Sequence, residues 1–217
     1  TDALLAQWEA LGTALGCPAN AWMKEGQHLL RSWQRWPRAY HNASHLQACL
    51  GHWQTVQNEL PGALEQPHAV ALALWFHDAV YWPWSAHNEA RSAQWASRFL
   101  SGQPLPPSLV RTVHEHIMAT CHNPGVLQGD ATWVVDIDLA VLGQSDAVYR
   151  QFERNVRKEY FFVRWPRYVA GRSAVLQGFL DRPHIYGTGY FAQRYEAQAR
   201  TNLQQALHAL GEGRLHQ

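Results

Sequence analysis

The sequence predicts an all-α protein that folds as a single helical domain over residues 1–217. Apolar residues recur three and four positions apart, as in Leu4, Trp8, Leu11 and Leu15, which is the spacing of one helix face. No convincing run alternates apolar and β-branched residues with polar ones in the way that is typical of strands. The chain is 47% apolar and contains 11 tryptophans, so its composition is that of a protein with a sizeable core.

Breaker residues set the order of the predicted helices. Gly16 and Pro18 end the first helix, and Trp36-Pro37 ends the second, because proline cannot continue a helix. The segment 67–79 is apolar nearly all round, so we expect it at the centre of the domain. The predicted helices cover about 4–15, 21–34, from 40 onward, 67–79, 86–100, 106–121, 129–142, 145–164, 167–181 and 189–209.

Charge and cysteine content limit the partners. Lys and Arg number 18 against 17 Asp and Glu, a balance that argues against extended nucleic acid as a partner. No apolar run has the length that crosses a bilayer, so we expect a cytoplasmic protein without a membrane partner. Cys17, Cys49 and Cys121 lie far apart and predict isolated buried thiols rather than disulfides or a metal clip.

Two polar motifs lie within apolar segments. His77 and Asp78 follow the apolar run of 70–76, and Asp136 and Asp138 follow Trp133-Val-Val. Burying such groups without partners is costly, and one metal ion would satisfy both motifs. Taken singly, each motif also has an ordinary explanation as a helix terminus, so the prediction depends on their combination.

A third motif supplies two histidines at the start of the third predicted helix. His41 and His45 are four positions apart, which on a helix places them on one face, about 6 Å apart. One can bind an ion while the other stands over the substrate of that ion. Two imidazoles and two carboxylates favour Mn, Fe, Co, Ni or Zn, with Mg also allowed. Water bound to such an ion becomes a hydroxide nucleophile near neutral pH.

The order His, His-Asp, Asp resembles the HD superfamily of metal-dependent phosphohydrolases, and more closely a bacterial group of predicted HD phosphohydrolases. The resemblance covers about 38–203 and implies an HD-type helical bundle. It implies that His45, His77, Asp78 and Asp138 bind one or two divalent ions, with Asp136 as the reserve for Asp138. Tyr40-His41-Asn42 is similar to the opening motif of the cyclic-nucleotide phosphodiesterases, which implies that His41 is the general acid. The matching stretches are 38–46, 76–81, 88–93, 136–143, 157–160, 171–172 and 199–203.

Further residues have candidate supporting roles. His122 is a candidate second-metal ligand or hydrogen-bond donor, and Glu89 is a candidate for orienting the attacking water. We expect His114 and His116 to face solvent. The candidate phosphate-binding residues within the family-like stretches are Arg157, Arg172 and Arg200.

The sequence therefore predicts hydrolysis of a small phosphorylated, nucleotide-like substrate. Two alternatives stay open. One is an HD-type di-iron oxygenase, which extra histidines such as His122 would favour, and the other is a non-catalytic regulatory module that binds a metal and a ligand. The sequence leaves the substrate and the oligomeric state open, a homodimer included.

Overall fold

The structure is a computed structural model that describes residues 1–121 and 127–216. In these two ranges the chain forms α-helices and one short 3-10 helix and contains no strand, so the all-α prediction is confirmed. The helices are α1 (Asp2–Ala14), α2 (Ala19–Trp33), α3 (Ala43–Glu59), α4 (Pro67–Phe76), α5 (Asn88–Ser101), α6 (Pro107–Ala119), α7 (Asp130–Asp138), α8 (Asp146–Glu159), α9 (Trp165–Leu180) and α10 (Gly189–Gly211), with the 3-10 helix (Leu139–Gly143) after α7.

Several predicted helices are shorter in the structure: the one expected over 67–79 ends at Phe76, and the one expected over 129–142 ends at Asp138. The third begins at Ala43 rather than near 40, because Asn42 is its N-cap and accepts a hydrogen bond from the Ser44 amide. His41 therefore precedes the helix, and the expectation that His41 and His45 share one helical face is wrong. The eighth helix ends at Glu159 rather than at 164. None of the described helices has the length and apolar character needed to span a membrane.

The chain divides into two compact units, Thr1–Ile137 and Asp138–Gln217. In the first unit, α4 is the central helix, and its side chains from Ala69 to Phe76 are all buried. The Asp130 carboxylate at the start of α7 accepts hydrogen bonds from the amides of Glu65 (3.0 Å) and Gln66 (2.7 Å), just before α4 begins. The starts of α4 and α7 are thereby fixed next to each other.

Two tryptophans join α1 to α2 in a reciprocal arrangement. The indole nitrogen of Trp8 donates to the carbonyl of Trp22, and that of Trp22 donates to the carbonyl of Trp8, both at 2.7 Å. Their rings stack with centroids 4.4 Å apart. Gly12 and Gly26 make this possible, because a Cβ there would lie 2.5 Å from the Trp22 ring and 2.3 Å from the Trp8 ring, respectively.

The second unit is built around α10 and a buried ion pair. Asn202 on α10 is fully buried and donates to the carbonyls of Leu142 and Gln144, both at 2.8 Å. Glu153 on α8 accepts hydrogen bonds from Arg172 on α9, at 2.5 and 3.1 Å. These contacts hold the 3-10 segment and three helices of the unit together.

Candidate metal centre

Three helix ends bring the candidate ligands together. His45 lies in the first turn of α3, His77 directly follows α4, and Asp138 is the last residue of α7. Ligand atoms of His77 and Asp138, at the ends of α4 and α7, lie within 4.8 Å of each other. The side chain of His45 approaches these atoms from α3.

The geometry is that of a metal-ligand group. His45, Cys49, His77 and Asp138 each offer one ligand atom, and these four atoms all lie within 4.8 Å of one another. Among the described residues, this is the His, Cys, Asp and Glu group that has metal-ligand spacing. The Nε2 atoms of His45 and His77 are 3.2 Å apart. His45, Cys49 and His77 are buried and Asp138 is partly so. This group can therefore hold a metal ion, which agrees with the prediction that the chain binds one.

The backbone fixes the tautomer of His77. Its Nδ1 lies 2.8 Å from the carbonyl oxygen of Leu74, which can only accept a hydrogen bond. The ring proton is therefore on Nδ1, and the lone pair of Nε2 points towards His45. A histidine that donates its other ring nitrogen to a carbonyl in this way has the arrangement usual for metal ligands.

Asp78 adds a negative charge beside the two imidazoles. Its Oδ2 lies 3.4 Å from Nε2 of His77 and 3.9 Å from Nε2 of His45. An ionised carboxylate and the Nε2 lone pair of His77 repel each other at this distance, unless a cation or a proton lies between them. The donor set therefore fits a cation. Asp78 is outside the four-residue group, so its role as a ligand stays a prediction.

Cys49 is the member of the group that the sequence analysis missed. Its Sγ lies 3.7 Å from Nε2 and 3.8 Å from Nδ1 of His45. The signal was present in the sequence, since Cys49 is four residues after His45 and both therefore share a face of α3. His52 continues that face, and its pKa is lowered by burial and by the charge of His45.

Hydrogen bonds from Arg38 and Trp33 hold the ends of these helices in place. The guanidinium of Arg38 donates to the carbonyls of Asp78 (2.7 Å), Ala79 (2.9 Å) and His41 (3.1 Å). The Trp33 indole donates to the carbonyl of Trp75 at 3.0 Å. The turn that carries His41 and the turn that carries Asp78 are thus tied to one side chain.

His41 stands beside the group rather than in it. Its ring stacks on Tyr81, with centroids 4.0 Å apart, and its centroid is 6.1 Å from that of His45. This distance agrees with the separation expected from the sequence, although a turn rather than a helix produces it. His41 is half-buried, so a ligand at the group could reach it.

The remaining candidates lie elsewhere. Asp136 is buried on α7 but is not in the four-residue group. Glu89 is half-buried in the first turn of α5, and its charge adds to burial in raising the pKa of Cys121. His122 lies outside the described residues.

The two histidines of α6 do not both face solvent. His116 is 7% exposed, which corrects the expectation for that residue. Burial lowers the pKa of His116, although Asp130 and Glu115 oppose the effect. His114 is half-buried and lies 3.0 Å from the Ser97 hydroxyl.

The three arginines predicted to bind phosphate are engaged inside the second unit. Arg172 pairs with Glu153, and Arg157 donates to the carbonyls of Tyr160 (2.8 Å) and Val163 (3.0 Å). Arg200 bonds Glu196 and the carbonyls of Leu180, Arg182 and Pro183. These contacts give each guanidinium a structural role, and phosphate binding by them stays a prediction.

No family model, curated protein or solved structure matches this chain. The function is therefore argued from the residues and their geometry.

Proposed function

We propose that this chain is a metal-dependent phosphohydrolase of the HD type that acts on a small, nucleotide-like phosphorylated substrate. The observation that carries the proposal is the convergence of His45, His77 and Asp138 with Asp78 beside them. This is the set that the order of motifs in the sequence implies. A half-buried histidine next to the group, His41, supplies the proton donor that phosphoester hydrolysis needs.

The donor set favours a transition ion. Two imidazoles and a carboxylate suit Mn, Fe, Co, Ni or Zn, and the thiol of Cys49 adds a soft ligand that Mg disfavours. An ion held there supplies Lewis acidity towards a phosphoryl group. Asp78 completes the negative charge around the ion.

The proton that the leaving group needs comes from His41 in this proposal. Hydrolysis adds water across the P–O bond: the oxygen of water bonds to phosphorus, the bond to the leaving oxygen breaks, and His41 donates a proton to that oxygen. The water gives up one proton, which returns to solvent or to the imidazole of His41. Stacking on Tyr81 and the Arg38 bond to the His41 carbonyl fix the position of the imidazole.

One observation favours a second candidate, a structural metal site in a non-catalytic module. Cys49 is 1% exposed and His77 is 1% exposed. Closed sites with four protein ligands and cysteine among them are typically structural. In that case the ion would contribute to folding and no substrate would be turned over.

The test combines metal analysis with a substrate screen. We would measure the metal content of the purified full chain and screen nucleotides and sugar phosphates with Mn, Co, Ni, Zn and Mg. The variants are His77→Ala, which should lose both metal and turnover, and His41→Ala, which should keep metal and lose turnover. The matched control is His208→Ala, whose side chain is 74% exposed on α10.

The outcomes separate the candidates. Full turnover by His41→Ala would contradict the assignment of the acid, and full metal content in His77→Ala would contradict the metal centre. A tightly bound ion whose removal unfolds the chain, with no turnover of any substrate, would support the structural site instead.

A further inference from the structure

A basic cavity lies in the first unit next to the turn that carries Asp78. It has a volume of about 270 Å³, and its lining includes Arg31, Arg35 and Arg38 together with Tyr81 and Trp82. Three guanidinium groups in a cavity of this size give it a strongly positive character. The volume is at the lower end of small-molecule sites, so an occupant would be no larger than about a mononucleotide.

Most of the charge comes from the last turn of α2 and the residues just after it. His28, Arg31 and Ser32 lie on α2, which ends at Trp33, Arg35 follows the end of the helix, and all four line the cavity. Arg31 and Arg35 therefore bring two positive charges to one cavity, and like charges repel each other. Within the described residues no carboxylate pairs with either guanidinium. Glu25, the nearest acidic residue of the same helix face, accepts a hydrogen bond from Trp95 and lies 3.7 Å from His28.

The contrast with the other arginines is informative. Arg172 and Arg200 each pair with a glutamate, whereas the contact of Arg35 is with the face of the Trp82 ring, 4.4 Å from its centroid. Arg35 is exposed, and a guanidinium in contact with a ring face uses none of its N–H donors for that contact, so it can still bind phosphate in a bidentate manner. A bound anion would also relieve the repulsion between Arg31 and Arg35.

The cavity is connected to the candidate metal centre by two side chains. Arg38 lines the cavity and donates to the carbonyl of Asp78 at 2.7 Å. Tyr81 also lines the cavity and stacks on His41. A phosphorylated ligand in the cavity would therefore lie next to the turns that hold the candidate acid and a candidate ligand.

We propose that this cavity is an anion-binding subsite in which Arg31 and Arg35 hold a phosphate group of the substrate. The assignment of the ligand as substrate rests on the proposed function, whereas binding of a phosphate group does not. The subsite assigns phosphate recognition to the end of α2 and the turn after it rather than to Arg157, Arg172 and Arg200.

The test is calorimetric titration of the metal-free full chain with adenosine 5′-monophosphate, inorganic phosphate and uncharged adenosine. The monophosphate and phosphate should bind and adenosine should bind more weakly. Arg31→Gln and Arg35→Gln should each weaken binding of the monophosphate by about tenfold, since each removes a charge-assisted contact. Arg35→Lys, which keeps the charge, should recover part of the loss.

Arg98→Gln is the matched control, because Arg98 is an exposed arginine on α5 that does not line the cavity. Its affinity for the monophosphate should equal that of the wild type. Arg31→Gln keeps the test decisive if the Arg35 variant loses its packing on Trp82, since Arg31 is exposed and makes no comparable ring contact among the described residues.

The outcomes separate this proposal from the proposed function. Wild-type affinity in Arg31→Gln, or no binding of phosphate or monophosphate to the wild type, would overturn the subsite. Loss of binding in the arginine variants and its retention in His77→Ala would support the subsite even if no substrate is hydrolysed. An unchanged KM in an active Arg31→Gln enzyme would overturn the subsite and leave the hydrolase standing.

Discussion

The two units differ in how their buried polar side chains are paired. In the second unit, Asn202 donates to carbonyls of that unit, Glu153 pairs with Arg172, and Tyr149 donates to Glu153 at 2.7 Å. Burial alone would lower the pKa of Arg172, but the Glu153 carboxylate raises it. Arg172, Tyr149 and Asn202 thus donate to acceptors of the same unit, whereas the buried Tyr168 hydroxyl has no hydrogen-bond partner within the described residues.

In the first unit, two imidazole nitrogens and a carboxylate oxygen lie close together at the helix ends. Nε2 of His77 faces Nε2 of His45 at 3.2 Å and Oδ2 of Asp78 at 3.4 Å. Such an arrangement is costly in a protein interior unless these atoms share a proton or a cation. The comparison shows that burial alone does not distinguish a candidate metal ligand from a structural ion pair, whereas a close group of ligand atoms does.

The largest expected effect is a loss of stability when the buried ion pair of the second unit is removed. Replacing Arg172 with Met leaves the Glu153 charge buried without its partner, so we expect a loss of about 3–5 kcal/mol in the free energy of unfolding. Urea unfolding of the purified chain measures it. The control is Arg150→Met, whose partly exposed pair with Asp146 (34% and 42% exposed side chains) should contribute at most about 1 kcal/mol. Equal losses in both variants would contradict the structural role of Arg172.

The second prediction concerns the stability that a bound metal adds, and tests whether Cys49 is one of its ligands. A metal present at about 100 times its dissociation constant should raise the free energy of unfolding of the wild type by about 2.7 kcal/mol. At the same metal concentration Cys49→Ala should gain clearly less, because it lacks the thiol of the group. Cys17→Ala, which changes a half-buried thiol outside the group, should gain as much as the wild type. An undiminished gain in Cys49→Ala would remove Cys49 from the ligand set.

The fold was largely predictable from local signals. The periodic apolar residues and the Gly and Pro breakers located the helices to within a few residues, as α4 and α10 show. The start of α3 was predicted near residue 40, whereas the Asn42 side chain caps the helix so that it begins at Ala43. Capping by one side chain is a weaker sequence signal than a run of apolar residues.

The candidate site was predictable in part. His45, His77 and Asp138 were predicted from the order of the motifs and the resemblance that it carries, and the structure brings them into one group. Cys49 was predicted to be an isolated thiol because no other cysteine lies near it in the sequence, although His45 lies one helical turn before it. The partner of Arg172 could not be foreseen, since Glu153 lies 19 residues away on another helix. Long-range pairing of this kind depends on tertiary packing.

A third prediction tests the close packing of α1 against α2 around Trp8 and Trp22. Gly26→Ala places a methyl group 2.3 Å from the Trp8 ring, so overpacking should lower the free energy of unfolding by about 1–3 kcal/mol. Gly51→Ala on α3 is the control, because its Cβ meets nothing within 4 Å and alanine favours helix by up to about 1 kcal/mol. Thermal unfolding of the two variants compares them, and a stabilised Gly26→Ala would contradict the tight approach of α1 and α2.

The smallest expected effect concerns His116, a buried residue of the first unit that lies outside the metal group. Both of its ring nitrogens lack a hydrogen-bond partner within the described residues, and burial lowers its pKa from 6.5. The unfolded chain therefore takes up a proton first as the pH falls. The stability that neutral His116 contributes is complete above 6.5 and is lost as the pH falls towards the lower folded pKa.

His116→Leu should reduce the loss of stability that accompanies a fall in pH. Between about pH 7 and about pH 5 the wild type should lose more free energy of unfolding than the variant, by about 1.4 kcal/mol for each unit between the folded and unfolded pKa. Removing two unpaired buried nitrogens should also stabilise the variant by about 1 kcal/mol near neutral pH. Urea unfolding at each pH measures both effects, with His208→Leu as the exposed control. Parallel pH profiles for wild type and His116→Leu would contradict the lowered pKa of His116 in the folded chain.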